Sequence, residues 1–128
     1  MAARNSAGDR DALESWLTGG PAPDRSVLRA AVKESLAVLA EVAPGRSVEV
    51  RVPPFGAVQC IIGTHHSRGT PPNVVETDAR TWLALAFGTL SWEDALRDGT
   101  LRASGARTGE VAQHLPLGGH PPNACRSN

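Results

Sequence analysis

Two adjacent histidines, His65-His66, are the first residues here whose type invites a chemical reading. Neighbouring side chains in extended backbone point to opposite faces. A zinc site needs three or four converging ligands, so the pair is expected to sit in an exposed polar loop, Gly63 to Pro72, and to bind no metal. His114 suits a surface position near the end of the last helix, close to its dipole, and His120 falls in the tail. Cys60 would need a positioned base or an electropositive pocket to act as a nucleophile. Within Val58-Gln59-Cys60-Ile61-Ile62 it reads as a small hydrophobe. Ser104-Gly105 lacks the strand-turn-helix elbow of a hydrolase serine. Gly99, Gly105 and Gly109 are too widely spaced to cradle a phosphate, and no G-x-x-x-x-G-K-[ST] is present. Asp78, Glu93 and Asp94 read as helix caps and first-turn charges. These residues predict no catalytic set and no cofactor: the chain is expected not to be an enzyme.

What remains is apolar surface. The chain has three Trp, two Phe and no Tyr, and four of those five aromatics lie from Phe55 to Trp92. Leu83 and Phe87 accompany Trp82, Leu85, Ala86, Leu90 and Trp92 in that segment. One reading makes these side chains the core. The other makes some of them the lining of a mostly apolar pocket between helices and sheet. On that second reading Trp82, Leu85, Ala86, Leu90 and Trp92 line it from the helices. Val50, Val52, Val58, Cys60 and Leu101 line it from the strands, with Phe55 between two of them. Arg51, Gln59 and Asn73 are candidates for the polar rim. Arg68, in the loop, is a candidate partner for a ligand carboxylate or phosphate.

Such a pocket needs elements to hold it. Asp9 to Leu17 reads as a short helix with Leu13, Trp16 and Leu17 on one side, ended by Gly19-Gly20-Pro21. Asp24 is an N-cap for a long helix to about Ala43. Its stripe is Leu28, Ala31, Val32, Ser35, Leu36, Leu39 and Val42, and Pro44-Gly45 stops it. Ser47 to Val52 alternates, with Val48, Val50 and Val52 on one face and Glu49 and Arg51 on the other. Pro53-Pro54 forces the chain out of the ladder. Gly56 to Ile62 is apolar on both faces, which predicts a central strand. Asn73 to Glu76 and Leu101 to Ser104 read as the third and fourth strands. Between them, Trp82 to Phe87 forms an apolar helix closed by Gly88. Ser91 opens the next, with Asp94 three residues on, and Gly99 ends it. A last helix leads to Leu117.

The fold class expected is α+β: a small curved, mostly antiparallel sheet of four to five strands with helices packed on one face. Residues 9–117 form a single domain, preceded by a disordered stretch, 1–8, and followed by a flexible tail, 118–128. Hydrophobic residues make up 41% of 128, enough for one core. No apolar run approaches the ~20 residues of a membrane span, so no stable membrane insertion is expected. Thirteen basic residues balance thirteen acidic ones, which offers no electrostatic case for nucleic acid. The polar N-terminus and two distant cysteines predict a cytoplasmic protein without a disulfide framework. Oligomeric state is not legible.

The order of these elements resembles the C-terminal half of the sterol carrier protein family. The residues that carry it are Asp78, Trp82-Leu83-Ala84-Leu85, Gly88, Asp94-Ala95-Leu96, Gly99, Leu101, Gly105 and Leu115-Pro116-Leu117. The block Arg51-Val52-Pro53-Pro54-Phe55-Gly56-Ala57-Val58-Gln59-Cys60 is similar to the small bacterial sterol carrier orthologues. The resemblance spans Leu28 to Leu117. It implies a non-catalytic carrier or binding module for an apolar ligand: a sterol, a fatty acid or a fatty acyl derivative. Larger sterol carrier domains use five strands, whereas four are legible here, which implies a smaller cavity. The alternative is an interaction or regulatory domain of the same fold with a filled cavity. Related domains accompany thiol-dependent isomerases and acetyltransferases as non-catalytic appendages. An enzyme fragment of that type would need a metal-binding partner domain. Cavity volume discriminates carrier from interaction domain.

Overall fold

The computed structural model describes residues 7–63 and 73–117. Helix α1 (Ala7–Leu17) and helix α2 (Arg25–Val42) precede strands β1 (Val48–Val52), β2 (Gly56–Cys60) and β3 (Asn73–Thr77). Helices α3 (Ala79–Phe87) and α4 (Trp92–Asp98), strand β4 (Leu101–Ser104) and a 3-10 helix (Thr108–His114) complete the chain's order. Among the described residues the sheet has four strands in the order β2-β1-β3-β4. The central pair, β1 and β3, is parallel, and the two outer pairings are antiparallel. The architecture is α+β, as the sequence pattern predicts.

Alternation builds the core. Val48, Val50 and Val52 of β1 and Val75 of β3 expose nothing, while Glu49 and Arg51 face the other side of the sheet. Against the apolar face lie Val32, Leu36 and Leu39 of α2 and Trp82, Leu83 and Leu85 of α3. The Trp82 indole Nε1–H donates to Ser35 Oγ at 2.8 Å, and that hydroxyl donates to the Val32 carbonyl at 2.9 Å. A polar chain thus ties α3 to α2 inside the apolar layer.

Several expectations are corrected. Among the described strands β2 lies at the edge of the sheet, not at its centre. Its apolar residues are explained by α2, which packs across it: Leu36 lies 3.6 Å from where a Cβ on Gly56 would be. Val42 belongs to the periodic stripe but is 53% exposed, because α2 ends there and the chain turns into β1. Asp24 occupies the N-cap position without a side-chain cap bond. The last helix is a single 3-10 segment. α1 begins at Ala7, before the expected Asp9. The rest of the expected N-terminal stretch, the tail 118–128 and the histidines of the loop lie outside the described residues.

The α2–β1 link is held at one close approach. The Ile61 N–H donates to the Ala43 carbonyl at 2.8 Å, and the Ser47 N–H donates to the Ile61 carbonyl at 3.0 Å. Ile61 is thereby kept at φ 68, a left-handed conformation that a β-branched residue rarely adopts. Gly45, at φ 149, faces that carbonyl directly, and any side chain there would collide with it.

Candidate functional site

The α3–α4 turn makes the site. Gly88 takes the left-handed conformation at φ 87, and its N–H donates to the carbonyls of Ala84 (3.0 Å) and Leu85 (3.3 Å). The chain can then reverse through Thr89 and Leu90. Ser91 Oγ accepts from the Asp94 N–H at 3.1 Å and starts α4. The segment after the 3-10 helix returns to this turn. The Leu117 N–H donates to the Ala86 carbonyl at 2.9 Å, and Pro116 packs 3.3 Å from where a Cβ on Gly88 would be.

Between the turn and the returning segment lies a cleft of about 350 Å³. Leu85, Leu90 and Trp92 line it from α3 and α4, and Ala112, Leu115 and Pro116 from the other side. Leu85 is almost fully buried, whereas Leu90, Trp92 and Leu115 are half-buried. Thr89, Ser91 and Glu93 supply the polar part of the lining.

The other lining candidates lie elsewhere. Val50, Val52, Cys60 and Trp82 expose none of their surface, which leaves not even water-sized space against them. Leu101 and Ala86 are 2% exposed. Phe55 sits at the margin with the Arg25 guanidinium 5.1 Å from its ring centre, and Val58 is half-buried against the core. Leu85, Leu90 and Trp92 are the expected lining residues that the structure brings to this cleft.

The rim candidates do not converge on it. Arg51 and Gln59 lie on the sheet face opposite the core. Arg51 Nε donates to Glu49 Oε2 at 2.8 Å, and this hydrogen bond, with the carboxylate's charge, raises the guanidinium's pKa. Gln59 Oε1 accepts from Arg46 at 3.2 Å. Arg51 also borders a shallow depression of about 450 Å³ with Glu49, Pro53, Pro54, Gly56 and Ala57. Asn73 is buried and structural in its bonding. Its Nδ2 donates to the Ser47 carbonyl at 2.8 Å, and its Oδ1 accepts from the Arg107 N–H at 3.1 Å. Arg107 continues that clamp to the Ile62 carbonyl and to Glu110, whose pKa it lowers by hydrogen bonding. Arg68 lies outside the described residues.

Sequence reading misses the far wall. Ala112, Leu115 and Pro116 are more than twenty residues from Gly88, and only the return of the chain makes them its neighbours. The one signal was the apolar Leu115-Pro116-Leu117 run.

A half-open cleft with an apolar floor at Leu85, and hydroxyls and one carboxylate in its lining, can hold an amphiphile. No cluster of three or more His, Cys, Asp or Glu suited to a metal occurs among the described residues. No described helix is long and apolar enough to cross a membrane. Burial pushes the Cys60 thiol up from 9.0 to about 11, which opposes formation of the nucleophilic thiolate.

That shift predicts alkaline sensitivity. Below pH 9.0 the thiol is protonated whether the chain is folded or not, and its contribution is intact. Between 9.0 and about 11 the unfolded chain ionises first, so stability falls as pH rises. The loss should reach on the order of 2–3 kcal/mol across the window. Urea unfolding at stepped pH checks it, with the chain's lack of tyrosine removing one competing group in that window. Cys60→Val should flatten the decline, and an equal decline in that variant would refute the assignment.

A family profile described as bacterial SCP ortholog matches residues 24–117. No curated protein matches the chain.

Proposed function

The chain belongs to the bacterial sterol carrier protein ortholog family, and from that membership we propose that it is a non-catalytic binding or carrier module for an apolar ligand. The ligand classes the family implies are a sterol, a fatty acid or a fatty acyl derivative. The seat of binding is the cleft between the α3–α4 turn and the returning segment, rather than the layer between helices and sheet. One observation supports this most: the cleft's volume of about 350 Å³ around Leu85, Leu90, Trp92 and Leu115. Small-molecule sites start near ~300 Å³ and are mostly apolar with a few polar groups.

A calorimetric titration with 1-decanol, a neutral amphiphile, tests the reading. Burial of a methylene contributes about 0.8 kcal/mol. After the cost of association, a Kd on the order of 10–100 µM is expected for a ten-carbon chain. Ala112→Trp should fill the cleft from its half-buried outer side and weaken binding at least tenfold, with a stability change below ~1 kcal/mol. Leu85→Trp should also block binding, at a greater cost to the core, about 1–3 kcal/mol.

The second reading, an interaction or regulatory domain, is favoured by the closed core around Val50, Val52, Cys60 and Trp82. Absence of saturable decanol binding would leave that reading standing and remove the first.

A further inference from the structure

The residues that line the α3–α4 cleft sort by depth. Leu85 is 2% exposed and forms the floor. Leu90, Trp92, Ala112 and Leu115 are half-buried walls, and the hydroxyls of Thr89 and Ser91 are exposed at the rim. The floor is shut: Leu85 packs in the cluster of Trp82 and Leu83, which expose nothing, so no space continues from the cleft into the core. The far wall is pinned, because the Leu117 N–H donates to the Ala86 carbonyl and Pro116 abuts Gly88. The size of what can be buried is therefore set by the volume in front of Leu85. At about 30 Å³ for each water-sized group, a cleft of about 350 Å³ admits at most about twelve non-hydrogen atoms.

A sterol has far more atoms than that, in a rigid ring system that cannot fold to fit. A long acyl chain also exceeds it and leaves its surplus methylenes in water, where they contribute no burial. A shorter chain satisfies both ends, with its methyl terminus on Leu85 and its polar end at the rim, in contact with hydroxyls and water. Resting on the binding role proposed above, we propose that the cleft takes a medium-chain acyl group of about eight to twelve carbons, as the free acid or a derivative, and does not take a sterol. Size thus chooses among the three ligand classes that family membership implies, which the apolar lining alone does not do.

The test is a calorimetric series of primary alcohols from 1-hexanol to 1-tetradecanol, each below its solubility limit. Affinity should rise about threefold to fourfold per methylene, break at about ten to twelve carbons, and gain less than about twofold from there to 1-tetradecanol. Dehydroergosterol, a fluorescent sterol, should show no saturable binding. Decanoate and methyl decanoate separate the two sources of the acyl chain: tighter binding of the acid assigns the free acid, tighter binding of the ester a derivative. Ala112→Leu adds three carbons to the wall and should move the break about two to three carbons shorter. Leu85→Ala lowers the floor and should move it as far the other way. Ala112 is half-buried, so its variant decides the matter even where Leu85→Ala does not fold. A rise that runs undiminished through 1-tetradecanol, a break that Ala112→Leu leaves in place, saturable sterol binding, or no binding of acid and ester alike overturns this selection, while decanol binding still supports the carrier role. If no alcohol binds, the carrier role fails, and the selection fails with it.

Discussion

Replacing Trp82 by alanine is expected to cost about 3–5 kcal/mol of unfolding free energy. The indole is wholly buried, between the β1–β3 face and α2, so its removal leaves a cavity that rigid strands cannot close. Domains of this size hold only about 5–15 kcal/mol in total, so the variant should be marginal at 37 °C. Part of the cost belongs to the hydrogen bond. Ser35→Ala removes the acceptor 2.8 Å from Nε1 and leaves a buried N–H unpaired, for about 1–3 kcal/mol. Trp82→Phe removes the donor instead, together with part of the ring volume. The double variant Ser35→Ala/Trp82→Phe should then cost less than the two single changes added, by about 1 kcal/mol, because the orphaned N–H is gone. Urea unfolding of the four proteins gives the cycle. Strict additivity would show that the indole N–H is satisfied some other way in solution.

How much of this was legible follows the range of the interactions. Val48-Glu49-Val50-Arg51-Val52 alternates because one face is covered, and the strand and its buried face follow from that alone. Gly88, Gly99 and Ser91 announce helix ends because capping is satisfied within a few residues. β2 was misplaced as central because burial by a helix and burial by neighbouring strands leave the same apolar mark. Asn73 looked like a free polar group at a pocket mouth. Its partners are Ser47 and Arg107, 26 and 34 residues away, and no local pattern reports them. For the site, Leu85, Leu90 and Trp92 were legible as apolar excess. The wall opposite arises only when Leu117 folds back onto Ala86.

Leu13→Ala should be nearly as damaging as the loss of Trp82, about 2–5 kcal/mol. The residue lies in α1, outside the family-matched segment 24–117, where an appendage would be expected to tolerate change. Yet Leu13 is fully buried in the same cluster as Trp82 and Leu83, and Trp16 and Leu17 pack beside it. Polar contacts fix the helix in place. Arg80 of α3 donates to the carbonyls of Trp16, which also accepts from the Gly19 N–H, and of Leu17, and it lies over the Trp16 ring. Arg10 covers Phe87 in the same manner. These contacts are exposed, so Arg80→Ala should cost no more than ~1 kcal/mol. Buried leucine, rather than the arginines, makes α1 part of the cooperative unit. Native-state hydrogen exchange decides the matter. Amides of α1 should exchange with the same opening free energy as those of α2 and α3, and Leu13→Ala should lower all three together. Rapid exchange confined to α1, with an unfolding midpoint that barely moves in Leu13→Ala, would show instead that the helix only rests on a core that is complete without it.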